Sequence, residues 1–211
     1  MEEITRLAAL GEGPNLEFKT RSPKPERLAK ELIAFANTSG GRMLLGVEDD
    51  GSVVGLKDVV EEQFALQEAL KAHCDPPLRI IVEDVPISKK RSVLVVEVPE
   101  STSKPHFLVI ENGQVTRTAY VRVEDKSVEA SRESVRLMRS EKSTRNVLFE
   151  FGDIEQVLMR YLDNYGRITV AQFARLANIS PKRASHKLVL LTKANVLQLH
   201  TDVKADYFTL A

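Results

Sequence analysis

The stretch AFANTSGGRMLLGVEDDG, from Ala34 to Gly51, decides the predicted fold because it joins a helical pattern to a strand pattern through two glycines. In residues 26–37, ERLAKELIAFAN, apolar side chains recur at helical spacing, whereas RMLLGV after the glycines is a short apolar run typical of a buried strand. Helices often end at a left-handed residue, which glycine adopts without steric cost. We therefore predict that Gly40 and Gly41 close the helix and turn the chain directly into a strand.

Further strand and helix patterns follow up to about residue 139. The run NLEFK at 15–19 alternates as a strand does, and residues 58–74 predict an imperfectly amphipathic helix. Two antiparallel hairpins are then expected, one with SKKR at its tip and one in which HFLVI and VTRTAYVRV flank Asn112-Gly113. A last helix, RESVRLMR, ends this part. The pattern predicts an α+β fold, a mixed or antiparallel sheet with helices packed on it.

The end of the chain has a different pattern. Apolar residues recur at helical spacing from Ile154 to Leu162, ITVAQFARLAN follows, and Ser180-Pro181 provides an N-cap and a first-turn proline for a third helix. VLQLH and DYFTLA then predict a short hairpin, so the order is that of a winged helix-turn-helix. We predict one domain at 1–139, a polar linker at 140–152 and a second domain at 153–211.

Composition excludes several classes of protein. Thirty Lys and Arg balance thirty Asp and Glu, so no net charge attracts the whole chain to nucleic acid or membrane. Its apolar runs are far shorter than the roughly 20 residues that span a bilayer, and MEEITRLAAL carries acids where a signal peptide is basic. The single cysteine, Cys74, rules out an internal disulfide. We predict a cytoplasmic protein without a membrane partner.

The third helix of the second domain is a candidate DNA contact. Residues 153–211 hold eight Lys or Arg against five acids, a local basic excess. Helix-turn-helix proteins place the N-terminal part of such a helix in the major groove. The alternative is a packing or dimerisation module whose basic residues are only solvated. The predicted DNA contacts are Ser180, Lys182, Arg183, Ser185, His186 and Lys187.

Three acids form a second candidate site. Glu12 and Glu17 lie around the glycine-flanked turn GEGPNLEFK, and Asp49 follows the strand after Gly40-Gly41. Mg²⁺ and Mn²⁺ prefer oxygen ligands, and such a cation activates water and stabilises a phosphodiester transition state. The alternative is that these acids are solvated and that GVEDDG is only a turn whose Asp and Gly suit the backbone.

Five stretches, taken together and in order, resemble the AlbA-type Schlafen domain: Glu12, NLEFK, AFANTSGG, LLGVEDDG and AYVRVEDKSVEAS. They cover about residues 10–138. Bacterial members of this family often carry a C-terminal winged helix and are described as transcriptional regulators. The family's older label is divergent AAA ATP-binding, but the chain has no GxxxxGK[ST] phosphate loop, so we do not expect ATP to bind.

The resemblance also implies an alternative activity. In vertebrate Schlafen proteins the related domain is an endoribonuclease of transfer and ribosomal RNA, whose three acids correspond by motif position to Glu12, Glu17 and Asp49. The vertebrate enzyme has two lobes and a zinc site, whereas this chain has one lobe and no Cys/His cluster, so a homodimer would be needed to rebuild the clamp. The candidates for contact with an RNA backbone are Lys19, Arg21, Lys24, Arg42 and Arg122; the alternative is that most of them, which lie beside acids, are surface ion pairs.

Our leading prediction is a homodimeric, DNA-binding transcriptional regulator whose Schlafen-like domain serves dimerisation or ligand sensing. The alternative is a metal-dependent endoribonuclease that uses Mg²⁺ or Mn²⁺ at the three carboxylates. No further cofactor is expected.

Overall fold

The computed structural model describes residues 1–140 and 151–211 and divides into two compact units, Met1–Glu129 and Ala130–Ala211. The helices and strands of the first unit are α1 (Glu2–Leu10), β1 (Leu16–Lys19), α2 (Pro25–Asn37), β2 (Gly41–Leu45), α3 (Val59–His73), β3 (Cys74–Asp75), β4 (Ile81–Ser88), β5 (Arg91–Val98), β6 (Phe107–Asn112), β7 (Gln114–Thr118), β8 (Tyr120–Val123) and β9 (Lys126–Glu129).

The central sheet of the first unit has the strand order β1-β2-β5-β4. Strands β1 and β2 are parallel, with Phe18 opposite Leu44, while the other neighbours in this sheet are antiparallel. Strands β3, β6 and β7 form a second sheet, and β8 and β9 form a hairpin. The predicted α+β class with a mixed sheet and packed helices is confirmed for this unit.

Met43, Leu44 and Leu45 of β2 form a continuous apolar run because both faces of the strand are covered there. Met43 and Leu45 pack in a core cluster with residues of α2 and α3. Leu44, which points to the opposite face, packs with Ile4 and Leu7 of α1. A strand buried on both sides needs a continuous apolar run rather than an alternating one, which is why RMLLGV lacks alternation.

The turn between α2 and β2 is built as predicted. Gly40 has a φ of 73°, and its N–H donates to the Phe35 carbonyl at 2.9 Å, which closes the helix. A Cβ at Gly40 would lie 2.7 Å from the Val98 carbonyl oxygen, and one at Gly41 would meet the Phe35 ring. Both positions therefore require glycine, and β2 starts at the second of them.

The prediction of one strand over VTRTAYVRV is wrong. β7 ends at Thr118, and β8 begins at Tyr120 in a different sheet. The Asn37 side-chain amide, at the end of α2, donates to the carbonyls of His106 and Tyr120 at 2.9 Å each. This amide ties the start of β8 to α2, and β8 pairs with β9, a strand that the sequence analysis did not predict.

The second unit contains the three helices and the hairpin in the predicted order, preceded by the RESVRLMR helix, which the sequence analysis placed at the end of the first part of the chain. Ser180 caps the last helix, since its Oγ accepts from the Arg183 N–H at 3.3 Å, and Pro181 occupies the first turn as predicted. The elements of this unit are α4 (Arg132–Ser140), α5 (Asp153–Tyr165), α6 (Val170–Leu176), α7 (Pro181–Lys193), β10 (Leu197–His200) and β11 (Tyr207–Leu210).

The hairpin of the second unit is attached to the connection between α5 and α6. Ile168 and Phe208 exchange two backbone hydrogen bonds of 2.9 and 2.8 Å, and both side chains are fully buried in a core shared with α5, α6 and α7. The domain limits 1–139, 140–152 and 153–211 stay a prediction, and residues 141–150 of the linker lie outside the described residues. Within the described ranges, every helix is too short or too polar to cross a bilayer.

Candidate nucleic-acid interface

Helix α7 presents three of the predicted DNA contacts to solvent. Lys182, Arg183 and His186 are exposed, whereas Ala184 and Leu188 on the other side of the helix are fully buried. The 3.6-residue period accounts for this division, because residues 184 and 188 share the face that packs on the core. The N-terminal half of α7 therefore carries a cationic outer face.

Ser185, by contrast, is engaged within the second unit and only 5% exposed. Its Oγ donates to a Glu133 carboxylate oxygen of α4, and it accepts from Nη1 of Arg136 on the same helix at 2.7 Å. Its hydroxyl proton and a lone pair are thus both used. The function of Ser185 that the structure shows is to attach α7 to α4.

Lys187 is likewise engaged, in an ion pair with Glu155 of α5. Glu155 is 4% exposed, and its other carboxylate oxygen accepts from the Gly152 N–H at 3.1 Å. Burial by itself raises the pKa of Glu155, but the hydrogen bonds from Lys187 and Gly152 outweigh burial and lower this pKa below its ordinary value of 4.5. The pair joins α5 to α7.

The predicted acids Glu12 and Glu17 of the first unit meet at a lysine. Lys19 Nζ lies 2.5 Å from Glu17 Oε1 and 3.8 Å from Glu12 Oε1. Glu12 Oε1 also accepts from the Phe18 N–H at 2.8 Å. The Lys19 cation therefore lies against both carboxylates, and a backbone N–H also donates to Glu12.

A buried arginine completes this cluster. The Arg122 side chain is fully buried, with Nη1 3.0 Å from Glu17 Oε2 and 3.1 Å from Glu31 Oε2. Its Nη2 donates to the Gly13 carbonyl at 2.8 Å. Because Glu17 Oε2 lacks a hydrogen-bond partner in the described part of the chain, its contact with Arg122 Nη1 is an ion pair without hydrogen-bond geometry. Arg122 Nε likewise has no hydrogen-bond partner among the described residues. Burial raises the pKa of Glu17 more than its hydrogen bond with Lys19 lowers it.

The three predicted ligands do not fit a metal site. Asp49 is exposed in the turn after β2, and Lys19 holds the carboxylates of Glu12 and Glu17 where a cation would be needed. In residues 1–140 and 151–211, no three His, Cys, Asp or Glu side chains are grouped so that they would hold a metal ion. The donor set therefore does not support the Mg²⁺ or Mn²⁺ site, and the ribonuclease alternative is not favoured.

Three of the five cations expected to meet RNA are also paired with acids. Lys19 and Arg122 belong to the buried cluster, and Arg42 Nη1 lies 2.8 Å from Glu3 Oε1. The motifs predicted Glu17 as a metal ligand and Arg122 as an RNA contact. The sequence carried no signal that they are joined, because Glu31, the third member, is an ordinary polar position on a helix.

The first unit also has a cavity of about 360 Å³ near the loop between β5 and β6. The buried ring of His106 forms part of its wall, with Nδ1 2.7 Å from the Pro76 carbonyl oxygen and Nε2 2.6 Å from Ser101 Oγ. A carbonyl oxygen only accepts, so in a neutral ring Nδ1 donates and Nε2 accepts from the Ser101 hydroxyl. Further lining residues are Arg79, Thr102 and Ser103.

The first unit, whose mixed sheet and buried cluster are described above, contains a stretch that matches a known family. Residues 12–131 match the family described as Schlafen, AlbA_2, and the chain belongs to that family. Membership indicates a nucleic-acid-related function. No curated protein matches the chain.

Several solved structures are similar to this chain, and two of them are described. One is the solution NMR structure of the N-terminal domain of a RecG-related protein from Nitrosomonas europaea, with 27% identity and a TM-score of 0.41 over 58% of this chain and 86% of that chain. The other is the crystal structure of a protein from Corynebacterium diphtheriae, with 18% identity and a TM-score of 0.44 over 69% of this chain and 32% of that chain.

Proposed function

We propose that this protein is a DNA-binding transcriptional regulator whose second unit is a winged helix-turn-helix and contacts duplex DNA through α7. The observation that carries the proposal is the joint exposure of Lys182, Arg183 and His186 at the N-terminal half of this helix. Lys and Arg contact phosphates or the O6 and N7 atoms of guanine, and the N-terminal residues of a recognition helix are those that reach the major groove.

The other predicted contacts serve this function by holding the helix. Ser180 caps its first turn, Ser185 attaches it to α4, and Lys187 attaches it to α5. A recognition helix fixed at three points orders fewer groups when it binds DNA, and it therefore loses less conformational entropy.

The test is fluorescence anisotropy with a labelled 20-base-pair duplex of arbitrary sequence at low salt. We expect binding that weakens as salt rises and that falls roughly tenfold in the double variant Lys182→Gln/Arg183→Gln. Lys89→Gln/Lys90→Gln is the matched control, because it removes the same charge from exposed lysines of the first unit. Equal affinities of the two double variants would reject α7 as the DNA contact.

The proposal includes a homodimer, since helix-turn-helix proteins commonly bind two half-sites as dimers. Light scattering coupled to size-exclusion chromatography gives the mass directly. The mass expected is twice the 23.6 kDa of the chain, and a mass of one chain at micromolar concentration would reject the dimer.

The ligand-sensing role proposed for the first unit is supported by the cavity around His106. A guanidinium at Arg79 and the hydroxyls of Thr102 and Ser103 suit a small anion; Glu100, which also lines the cavity, is paired with Lys104. Inorganic phosphate is the probe. It should raise the unfolding temperature of the protein above that in chloride of equal ionic strength, because a ligand that binds the folded state stabilises it. The same rise in Arg79→Gln would reject this site.

A further inference from the structure

Helix α4 has one face made of arginines. Arg132, Arg136 and Arg139 are exposed and follow each other at a spacing of four and three residues, which places them in one stripe along the helix. The opposite side is buried through Ser134 and Met138, which are 5% and 7% exposed. The stripe is about 10 Å long, at a rise of about 1.5 Å per residue.

Helix α4 is attached beside α7 by three polar contacts within the second unit. Arg136 Nη1 donates to Ser185 Oγ at 2.7 Å, and the Ser185 hydroxyl donates to Glu133. Ser134 Oγ donates to Asp206 Oδ2 at 3.0 Å, at the residue before β11. These contacts fix α4 against both α7 and the hairpin.

The position of Ser185 on α7 shows which side of α7 lies next to the arginines of α4. Successive residues of a helix are turned by about 100°, so residues 182 and 186 lie about 60° and 100° from residue 185 on the same side. Lys182 and His186 are the exposed members of that side. Because α4 contacts Ser185, α4 lies next to the cationic outer face of α7.

Two acids at the contacts of α4 already accept hydrogen bonds. The Glu133 carboxylate accepts from Ser185, and the Asp206 carboxylate accepts from Ser134 and from the Asp202 N–H. On the cationic side, a guanidinium has five N–H donors. The one that Arg136 gives to Ser185 leaves four for an outside acceptor.

We propose that the arginine stripe of α4 and the exposed face of α7 form one continuous surface for the phosphate backbone of duplex DNA. This inference rests on the proposed function and extends it, because α4 contributes contacts that the three-helix pattern alone does not contain. A stripe of about 10 Å spans roughly three base-pair steps if it lies along the duplex axis, at 3.4 Å of axial rise per phosphate of one strand. The stripe thus suits backbone contacts, which set the register of a DNA-binding protein rather than its sequence preference.

The experiment uses the whole chain, the arbitrary 20-base-pair duplex and the double variant Arg132→Gln/Arg139→Gln. Arg136 stays in place because it holds Ser185. Gln and Arg have similar helix propensity, and circular dichroism of the variant verifies that its helix content is unchanged. The comparison variants are Lys182→Gln/Arg183→Gln in α7 and Lys89→Gln/Lys90→Gln in the first unit.

We expect the α4 variant to bind roughly tenfold more weakly at about 0.1 M salt, and the slope of log K against log salt to fall by up to two. Unchanged or increased affinity of the α4 variant, with weakened binding of the α7 variant, would overturn the inference and leave the proposed function standing. If the wild-type protein does not bind duplex DNA, the proposed function fails and the inference fails with it. Equal losses in all three variants would also overturn the inference, because they would show a response to net charge alone.

Discussion

The basic residues predicted to bind nucleic acid have different surroundings in the two units. In the first unit, Arg122 is buried between Glu17 and Glu31, and Lys19 lies against Glu17. In the second unit, Lys187 is paired with Glu155, while Lys182 and Arg183 of the same helix remain exposed.

The difference shows that the type and motif position of a cation do not determine its function. A basic residue is available to a polyanion only if no acid of the same unit neutralises it first. By this criterion Lys19, Arg42 and Arg122 of the first unit are engaged within the fold, whereas Lys182 and Arg183 of α7 are available for binding. Four substitutions test this contrast, arranged from the largest expected loss of stability to the smallest.

Arg122→Met should destabilise the protein most. Removing the arginine takes the buried cation away from Glu17 Oε2 and Glu31 Oε2, a change that costs about 3–5 kcal/mol of unfolding free energy. Urea unfolding followed by circular dichroism measures it. Arg117→Met is the control, because Arg117 is half exposed and its ion pair with Asp75 is of the kind worth less than about 1 kcal/mol. A similar loss of unfolding free energy in both variants would show that the buried position of Arg122 does not distinguish it from an exposed cation.

Glu155→Gln should cost less, about 1–3 kcal/mol at pH 7, because it removes charge-assisted hydrogen bonds to Lys187 and Gly152. The effect depends on pH. Since the pKa of Glu155 is lowered in the folded state, its contribution is present above the unfolded pKa of about 4.5 and is lost as the pH falls through the folded pKa.

The unfolding free energies of wild type and Glu155→Gln should therefore converge on acidification. Asp163→Asn, an exposed acid of the same helix, is the control and should differ little from wild type at either pH. A deficit of Glu155→Gln that stays constant from pH 7 to pH 3 would contradict the ion pair with Lys187.

Ser185→Ala should cost about 1 kcal/mol, the net value of a typical hydrogen bond. The loss is small because Glu133 and Arg136 regain water when the hydroxyl is removed. The same variant should weaken DNA binding modestly, since α4 and α7 are then less firmly attached. No loss of stability, measured by urea unfolding, would show that Ser185 does not attach the two helices.

Lys182→Gln/Arg183→Gln should change the unfolding free energy by less than about 0.5 kcal/mol, as surface substitutions usually do. Only its DNA affinity should fall. A large loss of stability in this variant would mean that these side chains have partners within the protein, and it would remove the difference between the two units.

The sequence was sufficient where the structural signal is local. The left-handed Gly40, the hairpin with SKKR at its tip and the Ser180-Pro181 helix start were all predicted, because each depends on a few adjacent residues. The exposed Val60 and Phe64 of α3 likewise agree with the imperfectly amphipathic helix predicted for residues 58–74.

The sequence was not sufficient where partners are distant. Arg122 reaches Glu31 across 91 positions, and Ser185 reaches Glu133 across 52. Periodicity and spacing within a single chain carry no information on such pairs, so the burial of Arg122 and the attachment of α4 to α7 could not be foreseen. The same limitation explains the strand break at Ala119, which depends on Asn37 at the end of α2.

The most direct test is a nitrogen–proton NMR spectrum of the labelled chain, recorded with and without the arbitrary duplex. We predict that the backbone signals of Lys182, Arg183 and His186 shift on addition of DNA, whereas those of Glu17, Lys19 and Arg122 do not. Shifts confined to the cluster around Arg122, with the signals of α7 unchanged, would contradict the assignment of DNA binding to the second unit.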